Sequence, residues 1–240
     1  GLILAWMGVA TLHAQDFEHA FQQAQEAFEL RSANAQQSLK AYLADYPYTP
    51  YVDEVYTMQG ILLTEQKQYK PAVQTMAKVD VKQLSRKMIP LYNFHMGYAY
   101  FQLGEESKAL TYLQRLKKKD NPYALQATYY VGCCYYNQRE YGKALVEFLT
   151  LEQNGGYQQI APYYIVQIYY AQGAYDKVLE RAEMLLTDYP ENEYNDELHR
   201  IAGEIYYRDS VYEKAVSHLK DYHQLRVEQK QEVLRNDLYL

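Results

Sequence analysis

The chain has 240 residues, 48% hydrophobic and 22% charged, which is enough apolar material for a sizeable core. Its net charge of −6 and pI of about 5.6 exclude the broad basic face of a nucleic-acid binder, and two adjacent cysteines, Cys133 and Cys134, exclude a disulfide framework. Tyrosine is over-used, 29 against 6 Phe and one Trp, which suits a thin fold whose rings are buried while their hydroxyls stay wet.

Residues 1–15 contain no Asp, Glu, Lys or Arg. Their apolar run of about 12 residues is short of the roughly 20 that a spanning helix needs, and it fits the apolar core of a secretory signal peptide without its basic start. The expectation is an exported protein, periplasmic or outer-membrane associated, with 1–15 a leader remnant, cleavage near Ala14 or Gln15 and no membrane span. The competing reading is an amphipathic N-terminal helix docked on the fold.

From Asp16 a helical stripe begins, with Phe17, Phe21, Ala24 and Phe28 at three- and four-residue steps. Asn34 is placed to cap a second helix running to Asp45, where Tyr46-Pro47 stops it. Beyond this the pattern repeats. A small or packing residue recurs as Gly60, Gly97, Gly132, Val166 and Gly203, at steps of 37, 35, 34 and 37 residues. Three residues later stand Leu63, Tyr100, Tyr135, Tyr169 and Tyr206. A turn aromatic follows as Tyr69, Tyr141, Tyr175 and Tyr212, with Glu106 the exception. The second helix of each unit opens on Ala72, Ala109, Ala144, Val178 or Ala215, and four later comes Met76, Leu113, Phe148 or Leu219, with Ala182 departing. Small residues let two helices approach, and large ones fill the space around the contact. In the first unit Gln23 falls where a small residue is expected, so that unit reads as degenerate.

The connectors agree. Pro71 suits the first turn of a helix, Asp120-Asn121-Pro122 is a cap followed by proline, Gly155-Gly156 ends a helix, and Asp188-Tyr189-Pro190 repeats Asp45-Tyr46-Pro47. Arg115, Lys117, Lys118 and Lys119 read as cations at a helix C-terminus. No alternating strand pattern occurs. Residues 232–240 read as the start of a further, truncated unit.

Period, small positions and turn aromatics together resemble the tetratricopeptide repeat, a helix–turn–helix unit. The resemblance covers about residues 16–234 in units 16–50, 51–88, 89–121, 122–157, 158–192 and 193–231. It implies an all-α solenoid, a right-handed superhelix of about six repeats, whose first helices line a concave groove for a partner protein or peptide. The stretch Asp188 to Tyr194 (Asp-Tyr-Pro-Glu-Asn-Glu-Tyr) is also similar to repeats of periplasmic outer-membrane assembly and cell-division accessory proteins.

Positions one turn before, one after and four after each small residue lie on the free face of a first helix. They are Phe94, Tyr98 and Phe101; Tyr129, Cys133 and Tyr136; Tyr163, Gln167 and Tyr170; and Arg200, Glu204 and Tyr207. The expected partner site is an aromatic ladder of Phe94, Tyr98, Phe101, Tyr129, Tyr136, Tyr163, Gln167, Tyr170, Arg200 and Tyr207. The alternative is that these rings only pack neighbouring helices together. The six histidines offer no i, i+4 pair and no HExxH, and no P-loop, GxGxxG or Gly-x-Ser-x-Gly occurs. The expectation is therefore no enzyme, no metal and no cofactor. A second functional reading is a glycan-binding accessory protein of a nutrient-uptake system, although the single Trp6 lies in the leader.

Overall fold

The computed structural model describes the backbone of residues 2–117 and 120–238 and the side chains of 16–117 and 120–230. The side chains of the expected leader and of 231–240, and the Lys118–Lys119 part of the basic cluster, lie outside the described residues. The protein comprises two compact units, Gly1–Cys134 and Tyr135–Leu240. Among the described residues all regular structure is helical. None of those helices is long and apolar enough to cross a membrane.

The first unit holds α1 (Leu2–Glu29), α2 (Ala35–Asp45), α3 (Val52–Glu65), α4 (Tyr69–Met76), α5 (Met88–Gln102), α6 (Glu106–Leu113) and most of α7 (Ala124–Asn137). The second holds α8 (Tyr141–Glu152), α9 (Ile160–Ala171), α10 (Tyr175–Asp188), α11 (Asn195–Arg208) and α12 (Tyr212–Leu238). The helices alternate as first and second members of hairpins, which makes an all-α solenoid of helical repeats.

One turn geometry joins the members of every hairpin. Arg31, Lys67 and Gly104 in the first unit, and Arg139, Gly173 and Ser210 in the second, take a left-handed conformation with φ between 50° and 72°. The next amide reaches back five residues, as in Gln68 N to Leu63 O at 2.8 Å, Glu105 N to Tyr100 O at 2.9 Å and Val211 N to Tyr206 O at 2.8 Å. This pattern closes the carbonyl end of a helix and turns the chain sharply. Only two of the six positions are glycine, so four side chains carry the strain of that region.

The turns also set the register of the first hairpin. Each left-handed residue lies seven after the small position, as Gly104 follows Gly97, and Arg31 therefore assigns that position to Ala24, which is buried. The sequence reading, which put Gln23 there, is one residue out. The cause is the connection after the left-handed residue: buried Ala35 follows Arg31 by four residues, whereas Ala72 follows Lys67 and Ala109 follows Gly104 by five. Asn34 does stand at the N-cap, but its side chain makes no capping bond.

At the small positions the helices touch. A Cβ on Gly60 would meet Met76 Cγ at 2.2 Å, one on Gly97 would meet Leu113 Cγ at 2.6 Å, and one on Gly203 would meet Leu219 Cγ at 2.8 Å. Each large residue lies sixteen after its glycine. Where the small position is Val166, the residue sixteen later is Ala182, and both are fully buried in one cluster with Val178, Leu185, Leu198, Ile201 and Ile205. What reads in the sequence as a departure at Ala182 is a reciprocal exchange of volume.

The tyrosine three after the small position turns to the second helix. Lysine ammonium groups lie over Tyr100 (Lys108, 5.2 Å), Tyr135 (Lys143, 5.2 Å), Tyr169 (Lys177, 5.1 Å) and Tyr206 (Lys214, 4.9 Å). In the hairpin where the tyrosine is replaced by Leu63, the lysine position is Pro71. Helix α12 runs without a break through 231–234, where the repeat spacing places a turn. It contains neither Gly nor Pro to interrupt it.

Two outcomes follow for stability. Gly97→Ala is expected to destabilise the protein by about 1–3 kcal/mol, because Leu113 and the Ala109 carbonyl, 3.3 Å from the new Cβ, both press on it. Lys67→Gly, which relieves left-handed strain, is expected to stabilise by about 1 kcal/mol. Urea denaturation of both variants checks the signs.

A third outcome concerns pH. Burial pushes His95 down to about 4, with Glu65 opposing and Arg31 reinforcing the shift, and its Nδ1 has no hydrogen-bond partner. The folded chain keeps this ring neutral. Its contribution is complete above the ordinary value of 6.5 and is lost as pH falls from there toward 4, by up to about 3 kcal/mol. His95→Phe should flatten the fall in urea midpoint between pH 7 and pH 4.5 relative to the parent.

Candidate functional site

In the first unit the free face of α5 carries Phe94, Tyr98 and Phe101, three and four residues apart and all half-buried. They gather around one ring that the sequence reading did not select. Tyr130 lies 6.2 Å from Phe94, 5.1 Å from Tyr98 and 5.2 Å from Phe101, and Tyr129 meets it edge-on at 5.2 Å. Phe94 and Tyr98 are parallel at 6.1 Å, and Tyr69 meets Tyr98 edge-on at 5.9 Å. Cys133 sits at the same helical position as Tyr98 but is buried, so it adds no surface. Cys134 beside it is buried too, and desolvation pushes its thiol up to about 12. Neither cysteine is in a disulfide.

A second unselected contact recurs. Tyr51 stacks on Phe21 at 4.1 Å and Tyr123 on Phe94 at 4.9 Å in the first unit, and Tyr194 stacks on Tyr163 at 4.2 Å in the second. Each of these tyrosines stands at or just before the start of a first helix and covers a ring on the preceding first helix of its own unit. Two are aimed by the same device: Asn121 Oδ1 accepts from Tyr123 N at 2.9 Å, and Asn192 Oδ1 from Tyr194 N at 3.1 Å. The signal was present, since Tyr51, Tyr123 and Tyr194 all lie nine residues before a small position.

In the second unit Tyr136, Tyr163 and Tyr170 are half-buried and Tyr207 is 65% exposed. Tyr164 joins the first two, 5.4 Å from Tyr136 and 5.7 Å from Tyr163, and is itself stacked on Phe148 at 4.5 Å. Tyr170 meets Tyr175 edge-on at 6.0 Å, and Tyr207 meets Tyr212 at 5.7 Å.

Polar groups bind α9 to α11. Tyr170 Oη donates to Glu204 Oε2 at 2.9 Å. Arg200 donates to both oxygens of Glu197, from Nε at 2.8 Å and Nη2 at 2.5 Å, and from Nη1 to Glu204 Oε1 at 2.5 Å. These bonds hold Glu197 below the usual carboxylate range and hold Arg200 protonated. Desolvation, then Glu197, pushes Tyr163 up to about 12. The bond to Glu204 and burial raise Tyr170. The phenols are therefore neutral, and act as ring faces and hydrogen-bonding groups. Gln167 Nε2 is buried without a hydrogen bond of normal geometry, close enough to Glu197 and Tyr163 to favour their ionised forms.

The sequence-selected residues thus fall into two sets. Phe94, Tyr98, Phe101 and Tyr129 form one aromatic cluster in the first unit. In the second, Tyr136 and Tyr163 meet through Tyr164, Gln167 lies beside Tyr163, and Tyr170 and Arg200 meet through Glu204. Tyr207 projects furthest into solvent. Part of every cluster serves packing, because Phe94 and Tyr163 each have one face covered by a stacked tyrosine. Among the described residues no group of three His, Cys, Asp or Glu is arranged to hold a metal ion.

The family model described as a tetratricopeptide repeat matches residues 93–120. The chain is similar in structure to MamA AMB-1, with 18% identity, 74% of this chain and 93% of that one covered and a TM-score of 0.61. It is also similar to a tetratricopeptide repeat protein from Parabacteroides merdae ATCC 43184, at 19% identity, 88% and 80% covered and a TM-score of 0.63. A third likeness is to BtubC from P. vanneervenii, at 10% identity, 89% and 92% covered and a TM-score of 0.59. At these identities the likenesses concern the fold alone. No curated protein sequence matches the chain.

Proposed function

Given that the chain is a tetratricopeptide repeat protein, we propose that it is an interaction scaffold rather than an enzyme, holding an extended or helical peptide segment of a partner protein on its first-helix faces. The observation that carries this reading is the set Tyr136, Tyr163, Tyr170 and Tyr207 in the second unit. Their rings are braced edge-on by Tyr141, Tyr164, Tyr175 and Tyr212 and, at one face of Tyr163, by the stacked Tyr194, and every one of the four retains exposed surface. Braced tyrosines give large contact area with little ordering entropy left to lose, the property of anchor residues at interfaces. The uncharged apolar run in residues 1–15 supports an exported setting, in the periplasm or at the outer membrane of a bacterial envelope. No cofactor, metal or nucleic acid enters the proposal.

A photo-crosslinking residue placed at Tyr207 should give discrete protein adducts in intact cells, and one placed at Val146, 62% exposed on the second helix α8, should not. Tyr136→Ala with Tyr170→Ala should lower adduct yield about tenfold or more while circular dichroism shows the helices intact. Equal adducts from positions 207 and 146, or an unchanged yield in the double variant, would show that the rings serve packing only.

A further inference from the structure

The charged end of the second unit's first-helix face has a definite polarity. Arg200 is the one cation that the ladder offered to an acidic partner, and its Nε, Nη1 and Nη2 are all engaged by Glu197 and Glu204. An incoming anion would have to displace two carboxylates that sit 2.5–2.8 Å away. The groups with capacity to spare are acceptors and ring faces. Glu204 is 44% exposed at its side chain and keeps lone pairs beyond its bonds from Arg200 and Tyr170. Tyr170 donates its hydroxyl proton to Glu204 and has Arg200 close to its oxygen, which retains a second lone pair. Tyr207 lies three residues after Glu204 on α11, on the same side of the helix, with its ring 65% exposed. Around Arg200 two carboxylates face one guanidinium. Asp196, on the same helix, is paired with Arg226 at 3.3 Å.

From this, and resting on the scaffold reading, we propose that Glu204, Tyr170 and Tyr207 form a seat for a cationic side chain, arginine or lysine, of the bound peptide. A guanidinium there bonds the Glu204 carboxylate and lies over the Tyr207 ring, the pairing of charge and ring face that a cation favours. The same unit shows the arrangement built from its own residues. The Arg208 guanidinium lies 3.7 Å over the Tyr175 ring while its Nε donates to Asp209 at 2.8 Å. The seat differs in that, among the described residues, no cation lies over the Tyr207 ring.

The test is calorimetric titration of the full chain with three acetylated, amidated octapeptides, in which glycine alternates with arginine, with glutamate or with serine. The arginine peptide is expected to bind, and Glu204→Gln and Tyr207→Ala are each expected to weaken it about fivefold or more. Glu180→Gln on α10 removes a like charge from an exposed position and should leave binding unchanged, which separates the seat from the general attraction of an acidic protein. No binding of the arginine peptide, binding indifferent to Glu204→Gln, or an equal loss with Glu180→Gln overturns the seat. Binding of the glutamate or serine peptide that is abolished by Tyr136→Ala with Tyr170→Ala overturns the cationic preference while leaving the scaffold standing. The scaffold itself is decided separately by the crosslinked adducts.

Discussion

In three hairpins a glycine in one helix and a large side chain sixteen residues later occupy a single space, and the geometry of those hairpins depends on that sharing. With Gly60 against Met76, Gly97 against Leu113 and Gly203 against Leu219, the free space between helices is less than one methyl group needs. Interiors are packed closely enough for such a difference to be felt. At Val166 and Ala182 the bulk moves from the second helix to the first, and both side chains remain fully buried. The shared volume, rather than the glycine, is what recurs.

The other recurring contacts are arranged around this approach. The left-handed turn seven residues after the small position brings the second helix back, and the tyrosine three after it lies under a lysine of that second helix. The opposite flank of the first helix then carries its own rings, which brace one another within each unit. A tyrosine braced by Tyr164 or Tyr194 has already lost much of its freedom, so a partner that touches it need not order it again. In this way one set of rings supplies rigidity between hairpins, and under the proposed function the same rings are the surface offered to a partner.

The fold class was legible in the sequence because hairpin packing demands residue types at fixed offsets: a small residue, an aromatic three later, an alanine twelve later and a large residue four beyond that. Period and connectors pointed the same way. The degenerate first hairpin was misread by one residue, since the connection from Arg31 to the buried Ala35 is one residue shorter than its counterparts and shifts the offsets on which the reading depended. The compensation at Ala182 was invisible while each position was considered alone. It became evident once Val166 was seen to share its space.

The site was legible only in outline. Helical spacing correctly put Phe94, Tyr98 and Phe101 together, but which face of a ring is covered depends on helix angles that spacing does not encode. Tyr130, Tyr123 and Tyr194 were therefore missed, although for Tyr123 and Tyr194 the recurrence nine residues before a small position was there to find. Arg200 read as a charged end to the ladder, and the structure shows all three of its guanidinium nitrogens tied to Glu197 and Glu204.

Exchanging bulk at the variant hairpin tests the shared-volume account most directly, through a double-mutant cycle of Val166→Gly and Ala182→Leu followed by urea denaturation. Each substitution alone should destabilise, Ala182→Leu by about 1–3 kcal/mol through overpacking. The double variant, which rebuilds the arrangement of Gly97 and Leu113, should recover at least about 1 kcal/mol relative to the sum of the singles. Strict additivity would contradict the account, because it would mean that the two positions do not share one space.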